Sequence, residues 1–221
     1  MSIVTRKLIA KELYVNRWFI GGAAVAALTS AGIALLGRTG FNIGSLAWIT
    51  TVIGLGVMLA IYGVMNERKE HSLEFVLSLP LSVGDYVRAK LFGLLLCFLV
   101  PWLVASIAAI ALVLGTEVPD GLLPYLVLLC VFMLANFSLV LCGALHARSE
   151  AMVTVAVVLT NMAVSIFMFT VGALPAFSQH MYGPAPVWNE AFFIVLAIEL
   201  AIFALAVLLP LLVAGRRRDF I

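Results

Sequence analysis

The residues of this 221-residue chain that could do chemistry are few, and they are polar side chains set within long apolar segments. Glu199 is the only acid inside such a segment, and Asn136 and Asn161 lie in two others. An ionisable group in hydrocarbon is costly unless it faces protein or water. These three residues are therefore candidates for a substrate pathway or for polar contacts between helices. A structural role for Glu199, such as a hydrogen bond to Asn161 or a position near the outer interface, is the alternative.

Motifs for catalysis or nucleotide binding are missing from the sequence. None of the four lysines follows a glycine, so the chain holds no Walker A loop and cannot bind ATP in that way. There is no H-E-x-x-H helix and no G-x-S-x-G elbow. We therefore expect no catalytic residue in this chain, and no metal or cofactor bound by it.

The composition indicates a membrane protein. Hydrophobic residues make up 64% of the chain and charged residues only 11%, whereas soluble domains carry about 25% charged residues. A helix needs about 20 apolar residues to cross a bilayer. Six segments meet this requirement, and they predict an all-α membrane protein with six transmembrane helices at Trp18–Leu36, Gly44–Met65, Leu91–Leu114, Leu122–Leu145, Ala151–Leu174 and Ala191–Ala214.

The basic residues predict how the chain is oriented. If the chain crosses the membrane at these six segments, 12 of the 13 lysines and arginines lie on one side of the membrane, and only Arg38 lies on the other. By the positive-inside rule both termini are cytoplasmic, in a multi-pass protein of the cell membrane, most simply a bacterial inner membrane. The expected organisation is an N-terminal interfacial helix (1–17), a membrane domain (18–214) and a cytoplasmic tail (215–221).

Two segments outside the spans have alternative interpretations. Residues 1–17 can form an amphipathic helix in the inner interface, although Glu12 and Asn16 interrupt its apolar side. Alternatively, they are a charged flank that only fixes topology. The outer segment 174–190 contains three prolines, and it is either a re-entrant or interfacial element or an irregular loop.

The longest predicted cytoplasmic connection, residues 66–90, has a pattern of its own. Leucines and a valine recur on one face of a helix that ends before Pro80, and acidic residues share the opposite face. Ser82 and Asp85 then have the spacing of a capping box. The pattern predicts a short amphipathic helix, a proline break and a new helix that enters the membrane.

This connection, ERKEHSLEFVLSLPLSVGDYVRAK, resembles the first cytoplasmic loop of ABC transporter permeases of the type-2 exporter class. His71 and Ser72 stand where that family usually has Gly-Thr or Gly-Ser. The resemblance implies a coupling helix that docks on a separate ATP-binding subunit, which would bind ATP and Mg. It also implies a second permease chain, in a homodimer or a heterodimer. The implied contact residues are Glu67, Arg68, Glu70, Leu73, Glu74, Phe75 and Leu77.

Other functions fit parts of the same pattern. The loop helix could rest on the membrane surface, but its acidic face disfavours anionic lipid. The chain could be a membrane anchor or assembly subunit that does not transport, or an intramembrane enzyme. Its expected partners are the ATP-binding subunit, the second permease chain and membrane lipids, and we expect no nucleic acid.

Overall fold

A computed structural model describes residues 3–66, 83–147 and 149–214 of the chain, and these residues are helical with no strand among them. The all-α prediction is confirmed. The α-helices are α1 (Ile3–Val15), α2 (Arg17–Ala34), α3 (Gly37–Ala60), α4 (Val83–Gly115), α5 (Leu123–His146), α6 (Glu150–Ala173), α7 (Pro175–Ser178) and α8 (Glu190–Ala214). A π-helical turn, Ile61–Met65, continues α3, and a 3₁₀ turn, Asp120–Leu122, precedes α5.

Six of these helices are long and apolar enough to cross a membrane, namely α2, α3, α4, α5, α6 and α8. The chain is thus built as a multi-pass membrane protein, as its composition predicts. The helices alternate in direction, which gives the bundle two ends. We call the end where residues 67–82 join α3 to α4 the loop end, and the opposite end the far end.

Two of the helices begin before the apolar spans predicted within them. The prediction began the second span at Gly44, but α3 begins at Gly37, since the turn after α2 needs only Leu35 and Leu36. Gly37 has φ 83°, a left-handed conformation that glycine adopts without strain. The prediction began the third apolar span at Leu91, whereas the helix that contains it, α4, begins at Val83, as the capping-box spacing of Ser82 and Asp85 predicts.

The charged residues in the first turns of α4 pair with other side chains. Asp85 and Arg88 lie 3.9 Å apart on successive turns of the helix. Lys90 is only 2% exposed because it pairs with a residue of α1. The length of the apolar run alone places these charged residues before the span, although they belong to the same helix.

The core of the bundle surrounds α5, which packs against α3, α4, α6 and α8. Phe98 of α4 stacks on Phe137 of α5 with ring centroids 4.1 Å apart. Gly56 of α3 leaves room for these rings. Helices α2, α6 and α8 bury a smaller share of their residues than α5 does, so they form the outside of the bundle.

At the far end, the segment between α6 and α8 is held by hydrogen bonds. The Asn189 side chain donates to the Ala176 carbonyl at 2.7 Å, and the Gly121 amide donates to the Gly183 carbonyl at 3.0 Å. Phe177 is buried. The predicted outer segment 174–190 is therefore one turn of helix, α7, followed by turns that pack on the 3₁₀ turn.

Candidate functional site

The residues predicted to form the coupling helix lie outside the described part of the chain. This applies to Glu67, Arg68, Glu70, Leu73, Glu74, Phe75 and Leu77. Their role stays a prediction. The structure does describe the two helix ends between which they lie, at Asn66 and Val83.

The end of α3 packs against the side of α4. The π-helical turn that ends α3 places Gly63 against Leu94 of α4, where an added Cβ would lie 2.6 Å from a leucine methyl. Only a glycine permits this approach without a shift of Leu94. A displacement of the loop would therefore act on α3 and α4 together. Single π turns within α-helices often occur at functional positions.

A buried ion pair joins α1 to α4 beside this contact. The Lys90 ammonium lies 2.8 Å from the Glu12 carboxylate, with side-chain exposures of 2% and 6%. Lys11 lies 3.7 Å from the same carboxylate oxygen. The Asn16 side chain donates to the Glu12 carbonyl at 2.9 Å. An added Cβ at Gly93 would lie 2.8 Å from Glu12, so this glycine admits α1 to the surface of α4.

This contact explains why the amphipathic pattern of residues 1–17 is imperfect. The buried face of α1 consists of Thr5, Ile9 and Glu12, and Asn16, directly after the helix, continues the same spacing. Val15, by contrast, is 59% exposed. Glu12 and Asn16 thus belong to a protein contact, and the helix is joined to the bundle through polar groups. We name Glu12, Asn16, Lys90 and Gly93 the α1–α4 joint.

In the far half of the bundle, an apolar cavity of about 180 Å³ lies between α2, α3, α4, α5 and α6. Its lining includes Ala34, Trp48, Ala109, Tyr125, Leu129 and Met168. Several lining side chains are only half-buried, so the cavity reaches the surface of the bundle. Apolar cavities with a few polar groups are the usual form of a small-molecule site.

The polar atoms at this cavity are held by backbone carbonyls. The Trp48 indole N–H donates to the Ala105 carbonyl at 2.9 Å, and the Tyr125 hydroxyl donates to the Met168 carbonyl at 3.2 Å. Both side chains therefore turn their apolar surfaces toward the cavity in fixed orientations. The arrangement fits an alkyl or ring system better than a charged ligand.

The structure brings Asn136 and Asn161 to one small cleft, together with residues of α3 and α4. Asn136 of α5 is buried and Asn161 of α6 is half-buried. Gly56, Phe98 and Phe137 complete the wall on the other side. The two residues thus line the same cleft, and their role stays a prediction.

Glu199 is separate from this pair. Neither of its carboxylate oxygens has a hydrogen-bond partner among the described residues, so the suggested bond to Asn161 is wrong. Its side chain is instead buried, with only 3% of the residue exposed. The reason is the packing of α8, which lies against α4 and α5.

Sequence reasoning missed the partners that the fold supplies from distant segments. Glu12 and Lys90 are 78 residues apart, and Trp48 and Ala105 are 57 residues apart. A lysine at the edge of an apolar run was one available signal, because its ammonium needs an acid or water. Nothing in the sequence identified which acid.

Comparison with known proteins adds no relative for this chain: no family model matches it, and neither does any curated protein. Within the described residues, no three histidine, cysteine or acidic side chains come together as metal ligands would. The site must therefore be interpreted from its geometry.

Proposed function

We propose that this chain is the membrane-spanning subunit of an exporter that a separate ATP-binding subunit drives. The observation that carries the proposal is the apolar cavity in the far half of the bundle, with Trp48 and Tyr125 in its wall. A permease needs a site that takes its cargo from one side and releases it on the other. The lining favours a hydrophobic or amphipathic cargo.

Features of the loop end support a function in which a partner protein supplies the energy. The sequence holds no Walker A loop, so energy from ATP has to come from a partner. The chain between Asn66 and Val83 resembles the coupling loop of type-2 ABC permeases, and the helices that flank it are in contact through Gly63 and Leu94. The α1–α4 joint adds a third helix to the same unit. A push on the loop would then tilt α1, α3 and α4 together.

Charge reversal in the loop tests the proposal. We expect wild-type protein, purified gently from native membranes, to bring with it an ATP-binding protein whose ATPase activity it stimulates. Leu73→Arg and Glu74→Arg should abolish the stimulation, since they place a cation at the docking surface. Lys11→Met is the matched control, because it changes a charge on α1 without touching the loop. Unchanged stimulation in both loop variants would refute the proposal.

A non-transporting anchor for an ATPase is the alternative from another class. It would stimulate ATP hydrolysis equally but leave the cavity unused. Photolabelling of the cavity by an apolar probe, described in the Discussion, separates the two functions.

A further inference from the structure

A second polar group of side chains lies inside the bundle, where α4, α5 and α8 meet. Ser106, Cys130 and Glu199 are buried there, with exposures of 6%, 4% and 3%. Ser106 is on α4, Cys130 on α5 and Glu199 on α8, which packs against both of the other helices. Glu199 lies about 14 Å along α8 from its first residue, at about 1.5 Å per residue. We name these three residues the Glu199 cluster.

The polar atoms of the Glu199 cluster are unsatisfied. Within the described part of the chain, the two Glu199 carboxylate oxygens and the Ser106 hydroxyl have no hydrogen-bond partner. Other hydroxyls in the spans behave differently, since Thr51 and Ser138 donate to a carbonyl of their own helix. Buried polar groups without partners are rare, and they require an explanation such as a missing ligand.

In the described part of the chain, the helices that pack against α8 bring no lysine or arginine near this carboxyl. The sequence contains no lysine or arginine between residues 18 and 37, 91 and 147, or 149 and 215. Two helices pack against α8, namely α4 and α5. Their cations and their histidine, which are Arg88, Lys90 and His146, lie at the loop end, about 24 Å or more along the helix axis from Ser106 or Cys130. The remaining titratable side chains on these helices are Asp85, Tyr86, Cys97, Tyr125, Cys130 and Cys142, and α8 itself adds Glu190 at its far end.

We propose that the Glu199 cluster is a proton-binding site within the membrane domain. An ionised carboxylate would be buried there with only neutral neighbours, which is strongly unfavourable. A proton is the ligand that removes this charge and needs no further coordination. We expect the protonated carboxyl to donate to the Ser106 hydroxyl or to the Cys130 sulfur. The proton leaves only when α8 moves enough to admit water, so occupancy of the site depends on conformation.

The inference is independent of the proposed function, and infrared spectroscopy tests it. Wild-type and Glu199→Gln protein are compared in lipid nanodiscs at neutral pH. We expect a C=O band of a protonated carboxyl in the wild type and its loss in Glu199→Gln. In D₂O we expect this band to shift with time, as deuterium replaces the proton during openings of the bundle.

Glu12 supplies the matched control, because it is equally buried but paired with Lys90. Glu12→Gln should remove carboxylate bands and no protonated band. If Glu199→Gln does not fold, Ser106→Ala serves instead, and it should shift the protonated band without removing it. Absence of the protonated band, or absence of any Ser106→Ala effect on it, would overturn the proposal. A band that never shifts in D₂O would identify a fixed structural acid and would also overturn it.

Discussion

Two buried carboxyl groups in this chain are stabilised in different ways. Glu12 has the Lys90 ammonium at 2.8 Å, whereas Glu199 has no counter-ion among the described residues. The paired acid stabilises a contact between two helices as long as both partners remain. Burying an ion pair costs the desolvation of both charges, so the folded protein is destabilised mainly when only one of the two partners is removed.

Replacing one partner of the Glu12–Lys90 ion pair should therefore destabilise the protein more than replacing both. We expect Lys90→Met to lower the free energy of unfolding by about 3–5 kcal/mol, since it leaves the buried Glu12 carboxylate with only the more distant, half-exposed Lys11 ammonium at 3.7 Å. The double variant Glu12→Met, Lys90→Met should recover most of this loss. Thermal unfolding in a mild detergent measures both variants.

Lys11 offers a control for this experiment because it approaches the same carboxylate at 3.7 Å but is 45% exposed. Lys11→Met should cost less than about 1 kcal/mol, as exposed pairs do. If Lys90→Met proved as mild as Lys11→Met, the ion pair would not hold α1 to α4.

At the scale of elements, the tightest contact between helices is the α2–α3 hairpin. An added Cβ at Gly44 would lie 2.5 Å from the Ser30 carbonyl oxygen, and an added Cβ at Gly40 would meet Ile33 in the same way. Close approach of backbones is how helices associate in membranes. Small residues of α2, Ser30 and Ala34, thus face Gly44 of α3.

Gly44→Ala should separate this hairpin. The new methyl group meets backbone atoms, which cannot rotate away, so we expect a loss of about 1–3 kcal/mol in stability. Gly54→Ala is the matched control in the same helix, because nothing lies within 4 Å of its added Cβ. It should be neutral or stabilising by up to about 1 kcal/mol. Equal effects of the two variants in thermal unfolding would contradict the packing described.

Much of the helix content could be predicted from the sequence, because six apolar runs of spanning length leave few alternatives. The ends were harder. Gly37 begins α3 because a two-residue turn suffices after α2, which the apolar pattern did not indicate. The start of α4 at Val83 follows the capping-box spacing of Ser82 and Asp85. The burial of Lys90 against Glu12, however, depends on a contact that only the folded chain makes. The apolar cavity and the burial of the Ser106 hydroxyl could likewise not be predicted from the sequence, since both result from helix packing.

At the scale of the whole molecule, the cavity and the loop are at opposite ends of the bundle. Helices α3 and α4 connect them, since both border the cavity at the far end and flank the loop at the other. A device that couples ATP hydrolysis to cargo movement needs such a connection.

Filling the cavity should block access of an apolar ligand. We expect a photoactivatable fatty acid in nanodiscs to label cavity-lining residues of α3 and α5 in the wild type. Ala109→Trp should reduce this labelling at least severalfold, because Ala109 lines the cavity. Ala111→Trp is the control, since Ala111 lies on the exposed side of the same helix. Mass spectrometry of the labelled peptides gives the result, and equal labelling in the two variants would argue against a cargo site.

The most direct measurement of the central claim is crosslinking from the loop in the intact assembly. A Ser72→Cys variant is suitable because the three native thiols, Cys97, Cys130 and Cys142, are buried. The account predicts a crosslink from position 72 to an ATP-binding protein, and loss of that crosslink in Leu73→Arg. A position 72 that reacts only with lipid or with reagent added outside the cell would contradict the account.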